Sequence, residues 1–150
     1  MVQMKSSLAG IPVSRAMVTD YKVLAPADPL SRAVDLLLHG SQQDFPVVED
    51  GRVVGVLTRS SLMVAVAQQP PATPVGEVMQ RTFVEVEAGE MLETAFARLQ
   101  ECQCHTMPVT RAGRLAGLVT SDNLGEFLMV QAALKGRAVG TPRVDSQPAG

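Results

Sequence analysis

Two threonines sit where binding chemistry is possible: Thr58 follows Gly55-Val56-Leu57, and Thr120 follows Gly117-Leu118-Val119. Each ends a strand-like run and precedes a helical one, so its hydroxyl lies beside the unpaired N–H groups of a helix start. Such a spot suits phosphate or ribose oxygens. Gly55 and Gly117 lack side chains inside strands, which permits close approach of a ligand or of other backbone. The plainer alternative is that the threonines cap helices and the glycines relieve packing. Phosphate partners would come from Arg59, next to Thr58, or from Lys22, Arg52, Arg81 and Arg114, each of which also reads as solvated surface.

Other reactive residues lead nowhere comparable. Cys102-Gln103-Cys104-His105 crowds its candidate ligands together without a second cluster, unlike zinc-site spacing, so no metal is expected. A disulfide across a single residue would be strained, so both thiols are expected to be reduced, which suggests the cytoplasm. His39 and His105 are expected to meet terminal carbonyls at helix ends. No nucleophile elbow or other ordered catalytic signature occurs, and the chain reads as a non-enzyme. Met17, Met63, Met79, Met107 and Met129 fall at apolar positions and read as core filling.

What must position the threonines is a repeat. Shifting the sequence by 62 residues superimposes Val13 on Val75, Leu30 on Leu92, Pro46-Val47 on Pro108-Val109, Gly55 on Gly117 and Thr58 on Thr120 without a gap. The organisation expected is a lead-in over 1–12, units over 13–67 and 75–134, a stiff proline-rich linker over 68–74 and a disordered tail over 135–150. A chain of 150 residues, 46% hydrophobic, supports two small units sharing a core. Its net charge of -2, without a basic block, argues against nucleic acid. No segment approaches the roughly 20 apolar residues of a membrane span, so no direct insertion is expected.

Within each unit, Asp28 is placed to cap a helix with Pro29 at its first position, and Leu30, Ala33, Val34, Leu37 and Leu38 form its apolar stripe. Leu92, Ala95, Phe96 and Leu99 repeat it. Phe45–Val48 and Val53–Leu57 read as strands joined by an Asp50-Gly51 turn, with counterparts at 107–110 and 115–119. Pro46 and Pro108 restrict the first strands to an edge or a strand start. Further helices are expected over Leu62–Ala67 and from Asn123 to about Leu134. Each unit is thus strand, helix, strand, strand, helix, an α/β (α+β) class with two β-α-β-β-α units packed sheet to sheet about a pseudo-twofold axis.

This duplicated order resembles tandem cystathionine-β-synthase (CBS) domains, whose units carry hydrophobic-Pro-Val and then Gly-hydrophobic-hydrophobic-Thr/Ser-x-x-Asp. The matching residues are Phe45, Pro46, Val47, Gly55, Thr58, Arg59 and Ser61, then Met107, Pro108, Val109, Gly117, Thr120, Asp122 and Asn123. The resemblance implies a regulatory module that binds AMP, ADP, ATP or S-adenosylmethionine, with a ligand-free dimerisation module as the alternative. It also implies a homodimer, and first-strand site positions at Val23 and Leu24 and at Val86. Ser61 and Asn123 stand where the family places Asp, and Glu85 precedes Val86, so nucleotide binding is expected to be weak or altered. Residues 123–134 resemble the end of the CBS pair carried by bacterial site-2-protease-type zinc metalloproteases, which implies an intramembrane protease as the controlled partner.

Overall fold

The computed structural model describes residues 10–134; the start of the lead-in and the tail over 135–150, expected to be disordered, lie outside the described residues. The first repeat contains α1 (Leu30–Leu38), β1 (Phe45–Glu49), β2 (Arg52–Leu57) and α2 (Arg59–Gln68). The second contains β3 (Val86–Glu87), α3 (Leu92–Cys102), β4 (Thr106–Arg111), β5 (Arg114–Thr120) and α4 over 121–134. The counterpart of β3 in the first repeat is reduced to a single parallel bridge, Leu24 to Val47. A short 3₁₀ turn opens each copy, at Val13–Arg15 and Val75–Glu77.

Both hairpins turn on two residues with positive φ, Asp50-Gly51 and Ala112-Gly113, the geometry that matches strand twist and makes glycine the natural second residue. Pro46 lies in an edge strand of the two-stranded sheet as expected, but Pro108 lies within β4, the middle strand of the order β3-β4-β5. Its antiparallel partner Leu118 exchanges both backbone hydrogen bonds with Val18 instead, so no donor is asked of Pro108 on that side. Pro46 is excused in the same way, because Val56 exchanges its bonds with Gln80.

The helix starts differ from the expected capping. Pro29 is the N-cap residue of α1, and Asp28 Oδ2 accepts the N–H of Ala25, 2.8 Å away, which ties the preceding turn rather than the helix. The first helical donors reach into the neighbouring segment: Leu30 N–H to Thr73 O at 2.9 Å and Ser31 N–H to Pro71 O at 3.1 Å. In the second repeat Leu92 N–H donates to Ile11 O at 2.7 Å. The proline-rich linker therefore satisfies orphan N–H groups that no side chain serves.

These exchanges make each core a mixture of repeats. Leu24, Leu30, Ala33, Phe45, Val47, Leu57 and Leu62 pack with Val75 and Met79, whereas Val86, Leu92, Ala95, Met107, Val109, Val119 and Leu124 pack with Val13 and Ala16. Val13 and Val75 are fully buried, each contributing about 1.5 to 3 kcal/mol by its removal from water. The opening segments of the copies are thus swapped, and the two units form one interlocked body. Near the pseudo-twofold axis equivalent residues meet: Thr106 Oγ1 donates to Asp44 Oδ2 at 2.8 Å, and the hairpins touch through Leu115 N–H to Gly51 O at 3.0 Å.

Candidate functional site

Where β2 runs into α2, Thr58 is the N-cap, and its Oγ1 accepts the N–H of Ser61 at 3.1 Å. The Thr58 hydroxyl also lies 3.0 Å from Ser61 Oγ, which in turn is 3.5 Å from Gln80 Nε2. These groups line a cleft of about 600 Å³ that crosses between the repeats. Val56, Thr58, Ser60 and Ser61 line it beside Gln80, whose backbone pairs with that of Val56, and Thr82–Val84 and Cys102–Thr106 from the α3–β4 turn complete the lining. The buried carboxylate of Asp44, 6% exposed, also lines it. Asp44 Oδ1 accepts the N–H of Arg59 at 3.0 Å, and Oδ2 lies 3.1 Å from His105 Nδ1. His105 Nε2 sits 3.3 Å from Asp122 Oδ2, so the imidazole bridges carboxylates from both repeats.

The equivalent junction in the second repeat is closed. Asn123 Oδ1 accepts the N–H of Thr120 at 2.7 Å and its hydroxyl at 3.2 Å, while Asn123 N–H donates to Thr120 Oγ1 at 3.0 Å. The Asn123 amide also donates to the carbonyl of Ala16. A separate hollow of about 330 Å³ is lined by residues such as Tyr21, Lys22, His39 and Gln42 but not by Thr120 or Asn123. Burial pushes the Tyr21 phenol above its ordinary value.

The glycines serve packing between repeats. A Cβ on Gly55 would lie 2.5 Å from Met79 Sδ and 2.9 Å from Gln80 O; one on Gly117 would lie 2.7 Å from Met17 Sδ and 2.9 Å from Val18 O. Of the two close approaches the sequence left open, it is backbone that comes near.

A duplicated strand-to-helix junction of this kind, with its opening segments exchanged, is matched by the family model described as "CBS domain" over residues 13–68 and 75–129. The chain belongs to the CBS-domain family. It is 27% identical over 114 residues to the CBS domain-containing protein YhcV of Bacillus subtilis, covering 75% of this chain and 81% of that one. The putative acetoin utilization protein AcuB of Vibrio cholerae superimposes with a TM-score of 0.78 at 20% identity, over 85% of this chain and 96% of its own, and shows the fold. CBSX2, solved in complex with AMP, gives a TM-score of 0.70 at 26% identity, over 85% of this chain and 99% of that one.

The CBS-motif residues fall into three groups. Thr58 and Ser61 line the open cleft, and Arg59 contributes its backbone N–H to Asp44 while its side chain is exposed. Thr120 and Asn123 close on each other, and Asp122 reaches His105 from the surface. Leu24, Phe45, Pro46, Val47, Val86, Met107, Pro108 and Val109 are buried, and Val23 is exposed. Glu85 is exposed and outside the lining of the cleft. None of the proposed phosphate partners lines it either: Arg81 donates to Gly76 O at 3.1 Å and Arg52 to Gly113 O at 3.3 Å.

Two expectations are corrected. Cys102 and Cys104 are joined in a disulfide rather than reduced. Gln103 takes a left-handed conformation, φ 56°, at the end of α3 and turns the chain so that the two Cα atoms lie 5.1 Å apart, within bridging range. His39 meets the carbonyl of Asp35 at 2.8 Å as expected, but His105 faces the side chains of Asp44 and Asp122 instead of helix-terminal carbonyls. Asp44 and the Gln80–Val84 segment were missed as cleft residues. Their signal was available, since Asp44 is the repeat equivalent of Thr106 immediately before the hydrophobic-Pro-Val strand.

Proposed function

We propose that this chain is a regulatory module that binds an adenosine-type ligand, from the set AMP, ADP, ATP and S-adenosylmethionine, and passes its occupancy to an attached or partner protein. The observation that carries the reading is the cleft at Thr58 and Ser61, whose lining is drawn from both repeats. A ligand filling it ties the repeats together, which converts binding into a change that a partner can sense. The AMP complex of CBSX2 supports the ligand class. A thermal-shift panel of the four ligands tests it, because binding to the native state raises the melting temperature by mass action; no shift with any of them would sink the reading.

Self-association is the second part of the proposal. Met63 and Met129, expected to fill the core, are instead exposed, together with Val64 and Val66 of α2 and Val130 and Leu134 of α4, and such clustered exposed apolar side chains mark an interaction surface. A homodimer covering these faces is proposed, and dimerisation without ligand is the alternative function should the panel fail. Sedimentation of the parent beside Val64→Glu and Met129→Glu tests it: a parent that stays monomeric at micromolar concentration removes the proposal. An intramembrane zinc metalloprotease as the governed partner rests on residues 123–134 alone, and the relatives described above do not supply it. Among the described residues no helix is long and apolar enough to cross a membrane. The cytoplasm is proposed as the compartment where adenosine-type metabolites are met; with Cys102 and Cys104 bonded, the thiols no longer argue for it.

A further inference from the structure

The start of α2 is where a phosphate in this cleft would gather backbone donors, and the N–H groups of Arg59, Ser61 and Leu62 there are already engaged from within. Arg59 N–H donates to Asp44 Oδ1 at 3.0 Å, Ser61 N–H donates to Thr58 Oγ1 at 3.1 Å, and Leu62 N–H donates to Thr58 O at 2.9 Å. The anion that the positive end of the helix favours is therefore the protein's own carboxylate. Asp44 is held there by Thr106 Oγ1 at 2.8 Å as well, from the other repeat. The charge around the cleft points the same way. Its lining has no lysine or arginine, and its one basic group, His105, already lies between Asp44 and Asp122.

We infer that this cleft selects adenosine derivatives without a phosphate, neutral ones such as adenosine or cationic ones such as S-adenosylmethionine, and discriminates against AMP, ADP and ATP; the inference rests on the proposed adenosine-binding function and narrows it. The hydroxyls of Thr58 and Ser61 and the amide of Gln80 remain suited to a ribose diol, which needs neutral donors and acceptors. A phosphate would have to displace Asp44, leaving a buried carboxylate without its partners, or lie beside it. Either arrangement sets like charges close together in a partly desolvated space. A sulfonium or ammonium group meets the opposite situation.

The test is calorimetric titration of the full chain with adenosine, S-adenosylmethionine, AMP and ATP at low and high salt. Adenosine or S-adenosylmethionine is expected to bind at least about tenfold more tightly than AMP, and added salt should narrow the gap by screening the repulsion. Asp44→Asn keeps an acceptor for Arg59 N–H and removes the charge, so the ratio of AMP to adenosine affinity should move toward AMP by about tenfold. AMP or ATP binding the parent as tightly as adenosine overturns the selectivity while leaving the adenosine-binding function standing. Binding by none of the ligands overturns both. Should Asp44→Asn lose its cooperative melting, the ranking and salt response of the parent decide the matter alone.

Discussion

At the first junction Thr58 and Ser61 bond each other and line a cleft of about 600 Å³, whereas at the second Thr120 and Asn123 bond each other and the Asn123 amide is tied to the carbonyl of Ala16. The backbone at both junctions is the same, and each threonine caps the helix that follows it. The difference lies in the length of the residue three positions on. The Ser61 hydroxyl meets the swapped opening segment only through a long 3.5 Å contact from Gln80 Nε2, while Asn123 carries both a donor and an acceptor and joins Thr120 directly to the backbone of that segment. A duplicated fold thus becomes asymmetric at its two junctions without disturbing the symmetric interlock beneath.

The interlock is the feature both halves share, and breaking it should give the largest effect. Gly55→Ala and Gly117→Ala each place a Cβ within 3 Å of a backbone carbonyl, Gln80 O in one case and Val18 O in the other. The methionine tips can swing aside, but the paired backbone cannot. Each substitution is expected to destabilise by about 1 to 3 kcal/mol through overpacking, read as a lower urea midpoint. Nearly equal losses would support the shared interlock. A neutral Gly117→Ala beside a damaging Gly55→Ala would show that the second half is not held in this way.

The ligand variants should then separate the halves. Thr58→Val removes a cleft hydroxyl and is expected to cost about 1 to 3 kcal/mol of binding free energy, together with about 1 kcal/mol of helix-cap stability. Thr120→Val should cost only the cap term and leave affinity unchanged, as titration of both variants with adenosine or S-adenosylmethionine would show. Replacing the motif's last residue sharpens the contrast. Ser61→Asp supplies a charged acceptor to ribose and should tighten binding, while Asn123→Asp loses the donor to Ala16 O, turns a carboxylate toward a carbonyl and should lower stability. Equal binding losses at Thr58 and Thr120 would mean that the second junction opens in solution.

The duplication, the hairpins and the strand and helix order were legible because they depend on local pattern: Asp50-Gly51 for a turn, Leu30, Ala33 and Leu37 for a buried helix face. The asymmetry was not. Nothing in the 62-residue repeat reveals that Val13 is buried in the core of the second copy or Val75 in that of the first, since a swap leaves every local preference unchanged. The role of Asp44 was hidden for a related reason. Its partners Thr106 and His105 come from the other repeat, and Arg59 lies a strand hairpin away. Residues that join distant segments through single hydrogen bonds have no periodicity to betray them. The disulfide was missed because sequence separation was taken as a bar, whereas one left-handed residue at Gln103 brings the cysteines together.

The smallest expected difference lies in the turns before α1 and α3, where Asp28 and Glu90 are repeat equivalents. Asp28 Oδ2 accepts Ala25 N–H at 2.8 Å and lies 3.4 Å from an exposed Arg32. Glu90 has more partners: Glu87 N–H donates to it at 2.9 Å, and Arg98 grips both oxygens at 3.0 and 3.2 Å while also donating to Glu85 O. The hydrogen bond from Glu87 N–H, and then the Arg98 guanidinium, hold the Glu90 carboxyl below its ordinary value of 4.5, against the opposing pull of burial. A carboxyl whose value falls on folding stabilises the native state above its unfolded value, and that contribution is lost as pH drops through the lower folded one. Glu90→Gln keeps an acceptor for Glu87 N–H and removes the charge opposite Arg98. At neutral pH it should cost about 0.5 kcal/mol, discounted for partial exposure, and the gap between parent and variant should close as the pH falls below 4.5. Asp28→Asn should cost less, having one weaker arginine contact to lose. Urea titrations of both variants at neutral and acidic pH measure this directly, and a Glu90→Gln deficit that persists unchanged into acid would assign the loss to packing rather than to the ion pair.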